Sequence, residues 1–522
     1  MQKRTLLCFI LCIILFFASA MRVATISTTD FSQVSNTQNG IRLKIGDSRG
    51  TIFDRNFVRL TNSEEVIIAC ISPTPRAVTA ISQVLDEDEL ETVLEGLKSN
   101  KPVICRVPEI IECDGIVCTK IYTDTNTPSR HIIGYTDNDN RGVSGIEKAY
   151  DNLLYSPDEI SVFYSTDAKG KILEGIEPEL TNDNRTFTHS VVTTLDIDIQ
   201  TFAEECAQNL ERGAIIVADL KGKIRASVSR PNFDENNIEI YLDSKNSPLL
   251  NRVLNAYNVG SVFKPCVAVA GIENNKEDFK YNCTGSCEII DRYFKCHNLN
   301  GHGPLDLKGG LAHSCNTFFY NFAFQIGGEN ILKTARILNF EQSIKLCDGI
   351  SAAKGNLPKK ENLNNIAHLA NFSIGQGELL LSPISILTLY CAIASGGEYY
   401  IPSLIEGTIE NGKFTEYNIG APTKAFQPST AKKLSTYLES VLKEGTGQNA
   451  NPKTVTAAGK TATAQTGKFE NGKEICEGWF CGFFPAETPE YVVVIFSEDD
   501  KKQSLSCGEI FSILADKITS LS

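Results

Sequence analysis

The tightest constraint on this chain is a serine and a lysine three positions apart at the head of an apolar run, Ser261-Val-Phe-Lys264-Pro-Cys-Val-Ala-Val-Ala-Gly-Ile. Positions i and i+3 of a helix share a face, so the pair sets a hydroxyl and an amine one turn apart. Burial disfavours the charged form of an amine, so Lys264 in apolar surroundings can act as a base toward the hydroxyl. Following Gly260, Ser261 is expected to open the helix, whose N-terminal amides favour negative charge on an attacked oxygen. Pro265 then falls in the first turn, where a missing N–H costs nothing.

Alone the pattern is weak, and it recurs along the chain, as in Ser351-Ala-Ala-Lys354 and Ser429-Thr-Ala-Lys432. Ser351 reads as part of a polar loop, and Ser429 as the N-cap of a helix with exposed lysines. Two later motifs select Ser261. Ser314-Cys-Asn316 lies 53 residues downstream, and Lys460-Thr461 follows 146 residues after that, in the strand-like stretch Ala458-Gly-Lys-Thr-Ala-Thr-Ala. Ser-x-x-Lys, Ser-x-Asn and Lys-Thr in this order suit acyl transfer on a peptide with a free carboxylate. Ser314 can relay a proton to the leaving amine, Asn316 can bind a substrate amide, and Lys460 with Thr461 can hold the carboxylate. A second Ser-x-Asn, Ser244-Lys-Asn246, precedes Ser261 and reads as loop.

Other chemistries fail on pattern. A phosphate loop needs a glycine where Thr454 stands, five residues before Gly459-Lys460-Thr461. Gly445-Thr-Gly447-Gln-Asn-Ala450 imitates a dinucleotide fingerprint without a βαβ context and reads as loop. The chain contains no His-Glu-x-x-His. A formal charge of −13 leaves no basic face for nucleic acid, and the Asp86-Glu87-Asp88-Glu89 run reads as solvated surface.

The 522 residues, 42% hydrophobic and 22% charged, suit two or three globular domains. Lys3-Arg4 followed by the apolar run Thr5 to Met21 is an export signal, nearly long enough to span a bilayer at ~20 residues. It reads as an uncleaved single-pass anchor at residues 1–21, with the bulk of the chain extracytoplasmic. Cleavage after Ala18-Ser19-Ala20 is the alternative. Seventeen cysteines, an odd number without regular spacing, do not form a disulfide framework. Cys8, Cys12, Cys266 and Cys391 read as small hydrophobes.

Residues 22–188 mix short strands such as 66–72, a helix near 85–98 and turn-rich stretches at 122–143 and 180–190. Residues 189–522 read as a compact domain of strands and helices. It includes a hairpin turning at Leu220-Lys221-Gly222-Lys223, a strand at 491–499 and a last helix near 507–519.

Together the motifs resemble those of class B penicillin-binding proteins, membrane-anchored D,D-transpeptidases of cell-wall synthesis. Arg49-Gly-Thr-Ile-Phe-Asp-Arg-Asn56 resembles that family's N-terminal signature, with Phe57 where a glycine is usual. Gly142, Ser144, Gly145 and Glu147 resemble its Gly-x-Ser-Gly-x-Glu segment. The stretches 193–200, 301–320, 373–397 and 478–496 also resemble family segments.

The resemblance implies an α+β chain with an anchor, an elongated pedestal at 22–188 and a transpeptidase domain at 189–522, an antiparallel sheet sandwiched by helices. It implies acylation of Ser261 by peptidoglycan stem peptides and by β-lactams, and an oxyanion hole from the N–H groups of Ser261 and Thr463. It also implies a polytopic glycan synthase partner, no cofactor and no nucleic acid. The chain departs from the family's Lys-Thr-Gly at Ala462, whose methyl should face the Ser261 helix. Cys283, Cys287, Cys296, His297 and His302 match no strict zinc spacing, and some relatives carry a bridged cysteine pair hereabouts. Free thiols or a disulfide are read first and a metal second. A silent scaffold of the same fold, a D,D-carboxypeptidase and a β-lactamase are the rival readings.

Overall fold

A computed structural model describes residues 2–28, 40–124, 127–167, 169–173, 175–181, 188–289, 292–470, 472–501 and 504–521, with side chains of the first segment given for 9–25. Lys3, Arg4 and Cys8 thus lie outside the described side chains, and 182–187 of the turn-rich stretch at 180–190 lies outside the described residues. Helix α1, Gln2–Thr28, carries the apolar run. Among the described residues no helix is long and apolar enough to cross a membrane.

The chain forms two compact units, and the smaller comprises Met1–Ser48, Ser63–Thr123 and Ser156–Asn184. Its strands are β1 (Gly40–Arg49), β2 (Glu64–Ile71), β3 (Val103–Val107), β4 (Ile116–Thr123), β5 (Tyr155–Ser165) and β6 (Glu179–Thr181). They pair in the orders β3-β2-β4 and β1-β5-β6. Period-two alternation along β2 serves two cores. Ala69 and Ile71 pack with Val93 and Leu97 of helix α2 (Glu87–Leu97). Cys70 points the other way, toward Val162 and Tyr164, whose hydroxyl donates to the Cys70 carbonyl at 3.1 Å. Helix α2 starts where Asp86 accepts the Glu89 N–H, so part of the acidic run is a helix cap.

The larger unit holds Arg49–Asn62, Asp124–Tyr155 and Arg185–Ser522. The single pedestal segment expected at 22–188 is therefore interrupted twice. The cause is long-range pairing: Ile52 and Phe53 run parallel to Val191 and Val192 of β7 (His189–Thr193). Arg49 and Glu147, from the two family-like segments, form a buried ion pair at 2.6 Å, and Arg49 also reaches Asp151 at 2.9 Å. Phe57 adopts φ +61°, a left-handed conformation that suits glycine and strains a bulky residue.

Beyond β7 come helix α3 (Ile197–Ala207), then β8 (Gly213–Asp219) and β9 (Ile224–Arg230), joined by the expected hairpin. Helix α4 is Lys264–Glu273, α5 is Asn316–Ile326, α6 is Pro383–Ala394 and α7 is Pro428–Lys443. The last strands are β10 (Ala458–Glu470), β11 (Lys473–Phe484) and β12 (Tyr491–Ser497), followed by helix α8, Cys507–Thr519. A five-stranded antiparallel sheet of order β9-β8-β12-β11-β10 carries the core. Helices α3, α6 and α8 pack on it. Helix α6 is apolar all round, the signature of a helix buried on every side. This is the expected α+β architecture, and β10 on the sheet edge is the strand that bears Lys460.

Candidate active site

Pro265 sets the local geometry of the nucleophile segment. Having no N–H, it cannot extend an α-helical ladder upstream. The helix therefore begins at Lys264, and Gly260–Phe263 forms a 3₁₀ turn closed by the Lys264 N–H on the Ser261 carbonyl. Ser261 thus precedes the helix instead of opening it. The tighter winding still eclipses residues i and i+3, so Ser261 and Lys264 share a face. Ser261 is half-buried, whereas Lys264 is fully buried.

The Lys264 amine donates to three acceptors, all in the second motif: the Ser314 carbonyl at 2.7 Å, Ser314 Oγ at 3.2 Å and Asn316 Oδ1 at 2.7 Å. Burial pushes its pKa down to about 7, with the nearby Cys315 and Cys296 opposing the shift. Such an amine holds a substantial neutral fraction near neutral pH, as a general base requires. Ser314 is itself in the left-handed region, φ +52°, and Asn316 begins α5 behind the Cys315 cap. A strained serine held by a buried lysine is the kind of local cost found at functional sites.

The third motif closes the site. Lys460 is buried, and burial followed by repulsion from Lys264 pushes its pKa well below the usual lysine value. Its amine contacts the Thr461 carbonyl at 3.0 Å and Thr446 Oγ1 at 3.4 Å; Thr446 also meets Thr461 Oγ1 at 3.2 Å. The loop at 445–450 that imitates a nucleotide fingerprint thus supplies a residue here, which sequence reasoning missed. Burial alternates along β10, with Lys460, Ala462 and Ala464 inward, Thr461 half-buried and Thr463 exposed.

Ala462 faces the nucleophile turn as expected. A methyl built on Gly260 would lie 3.5 Å from Ala462 Cβ and 3.1 Å from Ala464 Cβ. The turn and the strand therefore meet where Gly260 has no side chain. A second tie comes from β11, where Glu477 and Trp479 bind the backbone of Asn258.

The alternative copies do not join the cluster. Ser351 lies in a short strand, Ile350–Ala352, instead of a loop. Ser429 sits inside the first turn of α7, because Gln427 occupies the N-cap.

The cysteine region differs from its sequence reading. All described cysteines are free thiols. Cys283, Cys296 and His302 are joined by Cys315 in one group, their donor atoms within 4.8 Å of one another, whereas Cys287 and His297 fall outside it. The sequence masks Cys315 as a member of this group, because it stands as the middle residue of Ser-x-Asn. A window extended by 13 residues beyond His302 would have included it. The hydrogen bond between the Cys296 and Cys315 sulfurs, 3.8 Å apart, pushes the Cys296 thiol down and the Cys315 thiol up.

A serine and a buried lysine one turn apart, facing a Ser-x-Asn corner and a lysine-bearing edge strand, define the cleft of a serine-type acyl transferase. The family model described as "Penicillin binding protein transpeptidase domain" matches residues 213–515, and the chain belongs to that family.

Curated relatives agree. The chain is 28% identical to stage V sporulation protein D of Bacillus subtilis, over 72% of this chain and 59% of that protein. It is 25% identical to the peptidoglycan D,D-transpeptidase MrdA of Acinetobacter baumannii, over 94% of this chain and 83% of the relative. The chain thus spans little more than half the length of the first of these and most of the second.

Solved structures share the fold. Penicillin-binding protein 3 of Mycobacterium tuberculosis, complexed with aztreonam, matches with TM-score 0.66 at 21% identity, covering 92% of this chain and 97% of that one. Penicillin-binding protein 2 of Helicobacter pylori, solved in complex with MreC, matches with TM-score 0.64 at 23% identity, covering 92% and 99%.

Proposed function

We propose that this chain is a peptidoglycan D,D-transpeptidase that works through an acyl-enzyme on Ser261. The observation that carries the reading is the buried Lys264 amine, one turn from Ser261 and bonded to both Ser314 and Asn316. Ser261 Oγ attacks the penultimate D-Ala carbonyl of a stem peptide while Lys264 Nζ takes its proton. The oxyanion is held by the N–H groups of Ser261 and Thr463. The C–N bond breaks, and the terminal D-Ala leaves as an amine after receiving a proton through Ser314. A neighbouring strand's amine then attacks the ester, forms the cross-link and returns the proton to Ser261. Lys460 and Thr461 hold the terminal carboxylate, and Asn316 binds the substrate backbone. A β-lactam follows the first half of this path and stays attached.

The protein is anchored by α1 with both units outside the cytoplasm, beside a polytopic glycan synthase that supplies strands. Supporting the anchor are the exposed apolar side chains Phe9, Leu11, Ile14, Leu15, Phe16 and Phe17, a patch that water disfavours. Membranes carrying the chain, treated with a fluorescent penicillin, should label one band that disappears in Ser261→Ala. A native chain that takes no label at generous exposure would overturn the catalytic reading and favour a silent scaffold. Label that is hydrolysed off within minutes would favour a β-lactamase.

A further inference from the structure

Between the two windings of the nucleophile segment one carbonyl is left over. The 3₁₀ turn Gly260–Phe263 closes with the Lys264 N–H on the Ser261 carbonyl, so the next bond of that ladder would run from residue 265 to Val262. Residue 265 is proline and has no N–H to give. The α-helical ladder starts too late to help, because a helix whose first residue is Lys264 has the Phe263 carbonyl as its first acceptor. The Val262 carbonyl thus falls between the ladders, in a residue with no exposed surface. A buried carbonyl left without a donor is costly.

The donor is the hydroxyl of Tyr390, 3.2 Å away. Tyr390 comes from α6, 128 residues further along the chain, and is itself fully buried. Burial pushes its pKa well above the ordinary phenol value, so the group stays protonated and keeps its hydrogen to give. The backbone ahead of the turn is tied separately. Tyr257 exchanges hydrogen bonds with Leu381 at 3.0 and 2.9 Å, and the Gly260 N–H donates to the Gly375 carbonyl at 2.9 Å. Among the described residues, Tyr390 is the side chain that reaches residues 261–263 with a hydrogen bond.

We propose that the Tyr390 hydroxyl is a positioning group for acylation, standing in for the N–H that Pro265 lacks and holding the turn in the winding that stacks Ser261 over Lys264. This role rests on the acyl-enzyme reading of Ser261. In 3₁₀ winding residues i and i+3 eclipse, whereas α winding at about 100° per residue offsets them by about 60°. Without the hydroxyl, the Val262 carbonyl is left to the Cys266 N–H, its i+4 partner, and satisfying it there winds the turn toward α. That swings the Ser261 hydroxyl away from the Lys264 amine, while Ser314, Asn316 and Lys460 keep their places. Tyr390 therefore acts on the rate of bond formation and not on the binding of the ligand.

The test uses the full chain and compares Tyr390→Phe with Tyr399→Phe. Tyr399 is the matched control: it too is fully buried, and its hydroxyl donates at 2.8 Å to the Ile337 carbonyl, at the end of the helix Gly328–Ile337. Stopped-flow labelling over a range of fluorescent penicillin concentrations separates the initial dissociation constant from the acylation rate constant. Tyr390→Phe should acylate at least about tenfold more slowly, with the initial dissociation constant within about twofold of native. Tyr399→Phe should match native in both. An unchanged acylation rate in Tyr390→Phe, or equal losses in the two variants, would overturn the positioning role.

Pro265→Ala supplies a second arm. It restores an N–H three residues after Val262, so in that background loss of the Tyr390 hydroxyl should slow acylation by no more than about threefold. The same loss in both backgrounds would mean that Tyr390 does not replace the missing donor. Should Tyr390→Phe alone fail to fold, the double variant decides. Recovered folding and labelling support the replacement; failure there, with Tyr399→Phe folded, would assign the hydroxyl to packing and overturn it.

Hydrogen-exchange mass spectrometry separates this role from the reading it rests on. The peptide carrying the Lys264 amide should exchange faster in Tyr390→Phe than in native or Tyr399→Phe, whether or not penicillin reacts. A native chain that takes no label yet shows that difference would fault the Ser261 chemistry and leave the tie standing. Unchanged exchange would overturn the tie.

Discussion

The backbone N–H of Asn258 donates to the Glu477 carboxylate at 2.9 Å, three residues ahead of the nucleophile. From the same strand, Trp479 Nε1 donates to the Asn258 carbonyl at 2.8 Å. One peptide segment is thus clamped at both polar groups by β11, which also pairs with the Lys460 strand. The position of Ser261 is therefore set by the same sheet edge that carries the third motif.

Burial, opposed by the Asn258 hydrogen bond, pushes the Glu477 pKa up to about 7 from 4.5. A raised folded-state value means that the folded chain binds more protons than the unfolded one between pH 4.5 and 7. The stability this confers is complete below about pH 4.5 and is lost as pH rises through 7, about 3 kcal/mol in all. Glu477→Gln keeps the acceptor without the charge. Its thermal midpoint should match the native one at pH 5 and exceed it by several degrees at pH 8. A gap that does not change with pH would assign the raised value to another group.

Gly260 and Ala462 share one small volume. Gly260→Ala adds a methyl 3.1 Å from Ala464 Cβ on a backbone at φ +56°, so penicillin acylation should fall at least tenfold. Ala462→Gly should raise the acylation rate a few-fold. If stopped-flow labelling finds no change, the Ala462 methyl does not crowd the site.

The Arg49–Glu147 pair is buried at both ends. Removing Glu147 leaves the buried Arg49 charge with Asp151 as its remaining carboxylate, so Glu147→Ala should cost about 3 kcal/mol in denaturant unfolding, the low end for a broken buried pair. The double substitution Arg49→Met with Glu147→Leu should recover most of that. Equal losses in the single and double variants would mean that packing, not charge, is what Glu147 supplies.

Phe57 carries a left-handed backbone while leaving its ring half exposed near Phe414, centroids 5.6 Å apart. Relief of that strain is worth ~1–2 kcal/mol, more than an edge-on pair at the surface contributes. Phe57→Gly should therefore raise the thermal midpoint by a few degrees; a lowered one would show that the ring contact dominates.

Features with a local cause could be read from the chain. Helix α8 begins where Ser506 and Glu509 form a reciprocal cap, and the β8–β9 hairpin turns at Gly222 with φ +72°. The order of the three motifs was legible because each is short and chemically distinctive. What escaped was non-local or finely local. Ile52 pairs with Val191, 139 positions further along the chain, which no periodicity encodes. Pro265 converts the expected helix start at Ser261 into a 3₁₀ turn, a choice of winding that residue spacing leaves open. The Asn258 clamp involves the main chain of one residue and side chains some 220 positions away. The cysteine quartet needed a partner hidden inside another motif.

The parallel pairing of Ile52 and Phe53 with β7 has a practical consequence for excising the enzyme. A polypeptide trimmed to 189–522 would begin at the strand whose neighbour it had just lost, baring the backbone of Val191 and Val192 to solvent. It would also lack Asp54, whose carboxylate accepts the Ile197 N–H at the start of α3. An open, apolar strand edge of that kind recruits other chains. The catalytic unit is better isolated by replacing the excursions at 63–123 and 156–184 with short linkers than by cutting once and keeping the C-terminal part.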